Sequence, residues 1–324
     1  MDSKALKELA YSSGFDLCGI ARAEPIKKVK EHFEKWIADN YHGEMSWLSK
    51  DPNRRSDPSR LLENAQSVIM LGINYYHNNS KIVPKNSGRV ARYARGKDYH
   101  KVTENQIRNL IVEIEKHFKE ADNQPLFKWW VDYGPFLERA YGAKAGLGFI
   151  GKNSMLINKK FGSWFLLSEI VTTLKLEPDD YKMTSKDQCG ECRLCVEACP
   201  TGAIISSRRI NSKKCISYLT IERPTHIHKK LQMQFGENIF GCDICQQVCP
   251  LNNEAGKTKN PQFQYSQGVG EFIDANQIIS MTGEDEYLKL TAGTALTRPK
   301  LKNMKRNAEI LLENQKENQK SNDI

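Results

Sequence analysis

Two runs of closely spaced cysteines contain the residues of this 324-residue chain that are best suited to chemistry. Residues 189–200 read CGECRLCVEACP, and residues 242–250 read CDICQQVCP. Spacers of two residues allow three thiolates to reach the corners of one iron–sulfur cubane, while the cysteine before the proline points away and ligates a second cluster. The two runs therefore predict a pair of [4Fe-4S] clusters.

Each such cluster takes four thiolates, so two clusters need one cysteine more than the seven in the runs. Cys215, which lies between the runs, completes the set by elimination. Crossed ligation predicts that the first cluster is held by Cys189, Cys192, Cys195 and Cys249. The second cluster is then held by Cys199, Cys215, Cys242 and Cys245.

Zinc knuckles and disulfides are the alternatives for paired C-x-x-C units. Neither alternative explains a third cysteine at the same interval or a proline after the fourth. The ninth cysteine of the chain, Cys18, lies in the apolar segment LCGIA, where we expect it to be a small buried hydrophobic residue rather than a reactive thiol.

Length and composition limit the class of protein. A chain of 324 residues can form two domains with cores, and its 39% apolar content is typical of a folded soluble protein. No apolar run approaches the length of a membrane span, and the N-terminus reads as an amphipathic helix rather than a signal sequence. Together with the reduced thiolates that the clusters require, these features predict a soluble protein of the cytoplasm.

Basic residues outnumber acidic residues by 48 to 39, which gives a formal net charge of +9. They concentrate in three runs, and each run fits either an ordinary solvated face or a polyanionic partner. The three runs are, in order, Lys81, Lys85, Arg89, Arg92, Arg95, Lys97, Lys101 and Arg108; then Arg208, Arg209, Lys213, Lys214, Arg223, Lys229 and Lys230; then Arg298, Lys300, Lys302, Lys305 and Arg306. Because the second run flanks Cys215, the charges favour a nucleic acid that approaches a redox centre.

Hydrophobic periodicity divides the chain into three parts. Residues 1–178 alternate helical and strand patterns and predict an α/β or α+β N-terminal domain; within it, residues 26–40 form an amphipathic helix whose apolar residues we expect in the core. Residues 179–255 carry the cysteine runs and predict a domain like a two-cluster bacterial ferredoxin. Residues 256–324 predict a short C-terminal helical segment that is polar and frayed from residue 313 onward.

Asp132 is the most prominent polar residue of the N-terminal part. It follows the apolar strand pattern LFKWWV and precedes a helix pattern that starts at Pro135. A carboxylate at the end of a strand lies where α/β folds place reactive groups. The same position also suits a carboxylate that caps the following helix, and the local pattern leaves both interpretations open.

Several motifs together resemble one family, epoxyqueuosine reductase. The matching segments, spread over roughly residues 10 to 255, are RSDP at 55–58, YARGKDYH at 93–100, VDYGPFLER at 131–139, GLGFIGKN at 146–153, CISYLTIE at 215–222 and GCDICQQVCP at 241–250. The last two segments are specific, and the glycine-rich segment is not. The family ends in a small helical-repeat domain that helps to hold tRNA, and residues 292–312 resemble only its beginning.

The resemblance implies an oxidoreductase that converts epoxyqueuosine to queuosine at the wobble position of a tRNA anticodon, the last step of queuosine biosynthesis. It also implies a base-off cobalamin between the N-terminal domain and the first cluster. The clusters would pass single electrons to the cobalt, and the resulting cob(I)alamin would reduce the epoxide. Asp132 is the expected general acid, with its carboxyl kept protonated by an apolar pocket.

Cofactor contacts also follow from the resemblance, residue by residue. The candidates are Arg55, Asp98, Tyr99, His100, Asp132, Asn153 and Ser154. The segment at 98–100 begins like the D-x-H-x-x-G signature of one cobalamin class but lacks its glycine, so we do not expect a histidine ligand on the cobalt. The implied partners are a tRNA anticodon stem-loop and a low-potential electron donor such as ferredoxin or flavodoxin, with no membrane and a monomeric chain.

Three other functions fit parts of the pattern. Reductive dehalogenases also combine cobalamin with two such clusters, but an N-terminal twin-arginine signal does not occur here and the basic runs would have no use. An electron-transfer protein of ferredoxin type would contain iron and sulfide without a corrin. A tRNA-binding iron–sulfur protein without catalysis would bind RNA and leave its modification unchanged.

Overall fold

The computed structural model describes residues 1–80, 82–120, 123–179 and 188–322. Lys81 of the first basic run and the last two residues of the predicted frayed tail therefore lie outside the described residues. Within them, the α-helices are α1 Ser3–Ser12, α2 Lys27–Ala38, α3 Pro52–Ser56, α4 Tyr99–Lys116, α5 Glu138–Lys144, α6 Leu194–Glu197, α7 Ile216–Ile221, α8 Lys229–Gln232, α9 Ile244–Gln247, α10 Ala275–Ser280, α11 Glu284–Thr291 and α12 Lys300–Asn322. The strands are β1 Leu17–Arg22, β2 Ser67–Asn74, β3 Ser87–Val90, β4 Phe127–Trp130, β5 Phe149–Ile150, β6 Leu156–Ile157, β7 Phe165–Thr172, β8 Ile204–Ser206, β9 Arg209–Ile210, β10 Asn238–Phe240 and β11 Phe272–Asp274.

The largest sheet of the described chain has the order β1-β2-β7-β4, and every neighbouring pair in it is antiparallel. The N-terminal part is therefore of the α+β kind, and the α/β alternative is wrong for this sheet. Asp132 follows β4, which is an edge strand, so the argument from the ends of parallel strands does not apply to it. The position of Asp132 is instead explained by the contacts of its side chain with Tyr99 and His100.

Both faces of this sheet are covered, which explains its nearly continuous apolar strands. On one face, Ile69 and Leu71 of β2 pack with residues of α1 and α4. On the other face, Val68 and Met70 pack with Tyr141 of α5 and with neighbouring loops. Alternate residues of β2 thus serve two separate cores, as the period of a strand requires. Cys18 is buried in the first core, which confirms its expected role.

A second sheet joins the three parts of the chain. Its order is β10-β3-β11, with β3 from the N-terminal part, β10 from the cysteine-bearing part and β11 from the C-terminal part. Helices α10, α11 and α12 pack over it around buried residues such as Tyr287 and Met304. The three segments therefore share one hydrogen-bonded sheet and one core, while the division into domains at 178 and 255 stays a prediction.

Two sequence expectations about helices are wrong. Residues Val29, Phe33, Trp36 and Ile37 of α2 are only half-buried, because α2 lies at the surface, where the Trp36 indole N–H donates to the carbonyl of Ile210 at 2.7 Å. The polar end of the chain is not frayed up to Asn322, because α12 continues to that residue. The side chain of Asn314 on α12 donates to the carbonyl of Gln232 at 2.8 Å, which ties this end to the rest of the fold.

Candidate active site

Asp132 occupies a strained backbone position two residues after β4. Its φ is +63°, in the left-handed region that non-glycine residues seldom adopt, and such positions are often found at functional sites. Its side chain is exposed, with 61% of its surface accessible to solvent. The helix expected from Pro135 begins only at Glu138, so Asp132 belongs to a loop and does not cap α5.

The first residues of α4 hold the Asp132 carboxylate. Asp98 caps this helix through a hydrogen bond from the backbone N–H of His100, and this cap places the next two side chains at the helix start. The Tyr99 hydroxyl donates to Oδ2 of Asp132 at 2.5 Å. His100 lies between two carboxylates, with Nδ1 2.7 Å from Asp98 Oδ1 and Nε2 3.8 Å from Asp132 Oδ2.

The proton of this arrangement is on the histidine at neutral pH. Although burial opposes the charge, the carboxylates of Asp132 and Asp98, at 3.8 and 2.7 Å from its ring nitrogens, raise the pKa of His100 to about 9. Desolvation acts to raise the pKa of Asp132, but the nearby His100 ring and the hydrogen bond from Tyr99 outweigh it and lower that pKa. The expectation that an apolar pocket keeps Asp132 protonated is therefore wrong: its neighbours are polar, and they stabilise the carboxylate.

Two arginines connect the Asp132 loop to neighbouring segments. Arg55 of α3 donates to the carbonyl of Gly134 at 3.2 Å and to the carbonyl of Trp47 at 3.1 Å. Arg139 of α5 donates to the carbonyl of Ser154 at 2.6 Å, and its charge acts to lower the pKa of Asp132. The loop is thus held from two sides.

The loop between β5 and β6 reaches from this site to both cysteine runs. The ammonium group of Lys152 binds the carbonyls of Gly190 and Cys192, in the second case at 3.0 Å. The Asn153 side-chain amide donates to the carbonyl of Cys245 at 3.2 Å. Ser154 has φ +63°, and its hydroxyl is buried without a partner among the described residues. All seven predicted cofactor-binding residues therefore belong to segments that meet in this region.

The structure also groups the cysteines. Besides burial, the thiols of Cys189, Cys249 and Cys192 raise the pKa of Cys195, which shows that these four lie near one another. In the same way, the pKa of Cys242 is raised to about 12, mainly by burial and then by neighbours that include the thiols of Cys215 and Cys199. The pKa of Cys245 is raised by burial and then by thiols that include Cys215 and Cys242. Cys195 of the first predicted set also raises the pKa of Cys245, so the two groups of thiols adjoin each other. The remaining neighbours follow the two predicted ligand sets, which stay a prediction.

No three His, Cys, Asp or Glu side chains of the described ranges converge in the way that a single metal ion needs. A four-iron cluster does not need that geometry, because each of its thiolates binds a different iron atom. One cysteine of each run lies on a short helix, Cys195 on α6 and Cys245 on α9, and these two helices contact each other. The spacing and this pairing fit two adjacent cubanes.

Several basic residues of the three runs are structural. Arg92 and Arg95 are buried; Arg92 binds Asp243, beside Cys242, with its backbone N–H and its guanidinium at 2.9 and 3.1 Å. Arg306, expected to contact phosphates, donates instead to three backbone carbonyls, including that of Leu219 at 2.8 Å. These side chains are occupied within the protein and cannot serve as surface contacts for RNA.

Arg298 remains exposed, and a hydrogen bond to Glu222, followed by the charges of Glu222 and Asp132, raises its pKa. Its guanidinium donates to both carboxylate oxygens of Glu222, at 3.1 and 3.0 Å, and lies 5.3 Å above the ring centre of Trp47. Trp47 is 39% exposed and is tied to the Asp132 loop through Arg55. A flat cation and an aromatic ring thus stand beside the candidate acid.

Two carboxyl groups of this region, those of Glu169 and Glu138, were not identified from the sequence. Glu169 lies in β7, opposite Trp130 of β4, and is fully buried. Glu138 begins α5, six positions after Asp132. A signal for Glu169 was present, because it is the one charged residue within the apolar strand FLLSEIVT. Glu138 lay inside the quoted motif, but nothing local marks the burial of its Oε1 atom.

Two sequence families match this chain. Residues 55–132 match the family described as "Epoxyqueuosine reductase QueG, DUF1730". Residues 188–252 match the family described as a 4Fe-4S double cluster binding domain. The first match ends at Asp132, and the second contains all eight cysteines proposed as ligands.

Relatives are known from several bacteria. The chain is 36% identical over 311 residues to an epoxyqueuosine reductase of Leadbetterella byssophila, and this match covers 96% of the chain and 98% of the relative. It is 40% identical over 261 residues to the one of Cyclobacterium marinum, covering 81% of the chain and 82% of the relative. The match to the Escherichia coli enzyme is 33% identical and covers 91% of the chain and 76% of that relative.

Solved structures show the same fold. An epoxyqueuosine reductase in complex with an epoxyqueuosine-modified tRNA-Tyr stem loop has a TM-score of 0.85 and 27% identity, covering 95% of this chain and 80% of that one. A Bacillus subtilis epoxyqueuosine reductase, described with its aspartate catalytic loop swung out of the active site, has a TM-score of 0.83 and 28% identity over the same shares.

The fold and the cysteine arrangement define an iron–sulfur oxidoreductase in which a double-cluster segment is joined to an α+β unit. Its sequence relatives cover nearly its whole length at more than 30% identity. The chain belongs to the epoxyqueuosine reductase family. None of the helices in the described part of the chain has the length and apolar character of a membrane span.

Proposed function

We propose that this protein reduces the epoxide of epoxyqueuosine to the alkene of queuosine at the wobble position of a tRNA anticodon. Family membership supports the reaction, and the related enzyme solved with a modified tRNA stem loop supports the substrate. The observation that carries the proposal is the position of Asp132, which is exposed, backbone-strained and bonded to Tyr99 beside a loop that contacts the cysteine runs.

The electron supply in this proposal consists of two [4Fe-4S] clusters in crossed ligation. Cys189, Cys192, Cys195 and Cys249 hold the first cluster, and Cys199, Cys215, Cys242 and Cys245 hold the second. The grouping of the thiols and the match of residues 188–252 support this assignment. A low-potential donor such as ferredoxin or flavodoxin delivers the electrons, and the protein acts as a monomer in the cytoplasm.

The residues around Asp132 fit a large polar cofactor. The buried Ser154 hydroxyl has no partner among the described residues, Asp132 faces solvent, and Asn153 connects the same loop to Cys245. We assign base-off cobalamin to this place, held by Arg55, Tyr99, His100, Asp132, Asn153 and Ser154, with Asp98 orienting His100. When bound, cobalamin supplies the strong one-electron and two-electron reductant that opening an epoxide requires.

The protein's own part in the reaction is the delivery of protons. Oxygen that leaves the epoxide carbon develops negative charge and needs a proton. Asp132 is the group that faces the substrate, and His100 is the neighbour that holds the proton at neutral pH. Tyr99 fixes the Asp132 carboxylate through its hydrogen bond, so that the proton moves from His100 through Asp132 to the substrate oxygen.

The RNA partner approaches from the side on which Asp132, Trp47 and Arg298 are exposed. Anticodon loop bases can be splayed out without opening a duplex, and proteins read such bases by stacking and edge contacts. The exposed members of the second and third basic runs, such as Lys214 and Lys300, then meet the phosphates.

The decisive experiment combines purified protein, cobalamin, a strong reductant and tRNA that carries epoxyqueuosine. Mass spectrometry of the digested nucleosides should show epoxyqueuosine replaced by queuosine, in amounts that exceed the enzyme concentration. Omission of cobalamin should abolish the conversion. Unchanged epoxyqueuosine with fully loaded enzyme, under conditions in which a characterised relative converts it, would refute the proposed function.

A further inference from the structure

Lys152 joins the loop between β5 and β6 to the first cysteine run. Its ammonium group donates to the carbonyls of Gly190 and Cys192, at 2.5 and 3.0 Å. Both acceptors belong to the turn 189–192, which carries the first two cysteines of that run. A lysine side chain has a positive charge and three donors but no acceptor. The fold therefore holds a cation directly against a segment that is proposed to bind a cluster.

The backbone on both sides of the Lys152 side chain is held in place. The Arg208 backbone N–H donates to the carbonyl of Lys152 at 3.0 Å. The next residue, Asn153, is buried, and its side-chain amide donates to the carbonyl of Cys245 at 3.2 Å. The side-chain oxygen of Asn153 accepts from the backbone N–H of Met155 at 3.1 Å. These contacts keep the ammonium group at the cysteine run, where a surface lysine would otherwise move freely in solvent.

The acceptors of Lys152 do not balance its charge, because both are uncharged carbonyl oxygens. Arg92, beside Cys242, is different. Its guanidinium lies 3.1 Å from the carboxylate of Asp243, and both side chains are buried. An ion pair presents little net charge to its surroundings, whereas an ammonium group on carbonyl oxygens presents a whole one. Of these two cations, Lys152 therefore acts more strongly on a neighbouring cluster.

Charge beside an iron–sulfur cluster affects how easily the cluster accepts an electron. The reduction potential of such a cluster depends on its net charge, its hydrogen bonds and its exposure to solvent. A four-iron cluster with four thiolates is negative, and one more electron makes it more negative without breaking a bond or moving a proton. A nearby cation consequently stabilises the reduced form more than the oxidised form.

We propose that Lys152 raises the reduction potential of the first cluster, the one held by Cys189, Cys192, Cys195 and Cys249. This cluster then accepts single electrons from the external low-potential donor. Lys152 acts through the cluster rather than on the substrate. The inference rests on the proposed function, from which it takes the ligand assignment and the electron supply.

The test is a redox titration of the anaerobically purified protein with both clusters, followed by electron paramagnetic resonance. Lys152→Gln removes the charge and keeps a hydrogen-bond donor for the carbonyls. It should shift the one-electron equilibrium of one cluster toward the oxidised form by about tenfold, which is a fall of about 59 mV. The other cluster should titrate as in the wild type. Lys152→Arg keeps the charge and should leave both potentials unchanged.

Lys116→Gln is the matched control, because it removes an equal charge from an exposed position on α4. Both of its clusters should titrate as in the wild type. Unchanged potentials in Lys152→Gln would overturn the inference, and so would an equal fall in Lys152→Arg. Loss of about half of the iron from Lys152→Gln would also overturn it, since the lysine would then be needed to hold a cluster rather than to adjust its potential.

The titration needs no tRNA, so it separates this inference from the proposed reaction. A wild-type protein that binds two clusters but converts no epoxyqueuosine would count against the proposed reaction and not against the role of Lys152. A wild-type protein that cannot bind two clusters would count against the ligand assignment itself.

Discussion

The Tyr99 hydroxyl lies 2.5 Å from Oδ2 of Asp132 and joins the first turn of α4 to a loop residue whose φ is +63°. The contact joins residues 33 positions apart in the sequence and fixes a carboxylate that is otherwise open to solvent. The same oxygen of Asp132, Oδ2, also faces the Nε2 atom of His100, so both neighbours lie at one carboxylate oxygen. The geometry makes Asp132 a carboxylate that receives protons from one side and can pass them to the other.

Replacing Asp132 by Asn should abolish conversion of epoxyqueuosine while the cluster and cobalamin spectra stay intact. The amide keeps the shape of the side chain but cannot carry a proton between His100 and the substrate, and general acid catalysis contributes roughly 10²- to 10⁴-fold. Single-turnover assays with nucleoside mass spectrometry measure the loss. Full activity of Asp132→Asn would remove the residue from the reaction.

The protonated His100 should make stability dependent on pH. Its folded-state pKa of about 9 lies above the ordinary value of 6.5, so its interactions with Asp98 and Asp132 stabilise the protein fully below about pH 6.5 and are lost as pH rises through about 9. The difference in thermal midpoint between wild type and His100→Gln should shrink over that range. A constant difference would show that the histidine is uncharged in the fold.

Cys215→Ala should lower the iron content by one cluster, about four of about eight iron atoms per chain. Cys215 lies near Cys242 and Cys199, whereas Cys18 is buried in the core of the large sheet. Cys18→Ala is therefore the matched control and should retain all the iron. Iron and sulfide assays of anaerobically purified protein provide the measurement, and equal iron in both variants would refute the ligand assignment.

Arg298→Gln should weaken binding of the modified stem loop and reduce the dependence of binding on salt. The guanidinium is exposed, held flat by Glu222 and placed over Trp47, which suits it to a phosphate or a base. Loss of one phosphate contact should lower the salt slope by about one unit. Lys116→Gln on α4 removes an exposed charge paired with Glu113 and should leave both quantities unchanged.

Asn307→Ala should destabilise the whole chain rather than only its C-terminal helix. The buried Asn307 amide donates to the carbonyls of Thr220 and Ile239, at 2.8 and 3.1 Å, and so ties α12 to α7 and β10. Leaving these carbonyls unpaired should cost about 1–3 kcal/mol of unfolding free energy. Urea unfolding under anaerobic conditions measures it, and exposed Lys302→Ala should have no effect.

The sequence predicted the residues of the candidate site better than the buried groups and strands that surround them. Cysteine spacing and the motifs at Arg55, Tyr99, Asp132 and Asn153 led to residues whose segments meet in the fold, because short motifs keep local geometry. The antiparallel sheet was not found, because strand partners distant in the chain leave no local signature. Glu169 was overlooked although it is the one charged residue of its apolar strand.

The prediction that Asp132 is protonated was wrong for a related reason. The apolar strand pattern LFKWWV suggested an apolar pocket, but the actual partners, Tyr99 and His100, are the first residues of α4 and lie 33 and 32 positions earlier in the chain. A pKa depends on what lies within a few ångströms, and periodicity does not report that.

The sheet formed by β3, β10 and β11 also limits when this part of the chain can fold during synthesis. β3 ends at Val90, yet its two neighbours are Asn238–Phe240 and Phe272–Asp274, so the ribosome must deliver nearly the whole chain before this sheet can close. Pairings of such long range form late in folding. A cysteine segment that receives iron before residue 274 has been made therefore lacks part of the sheet that supports it.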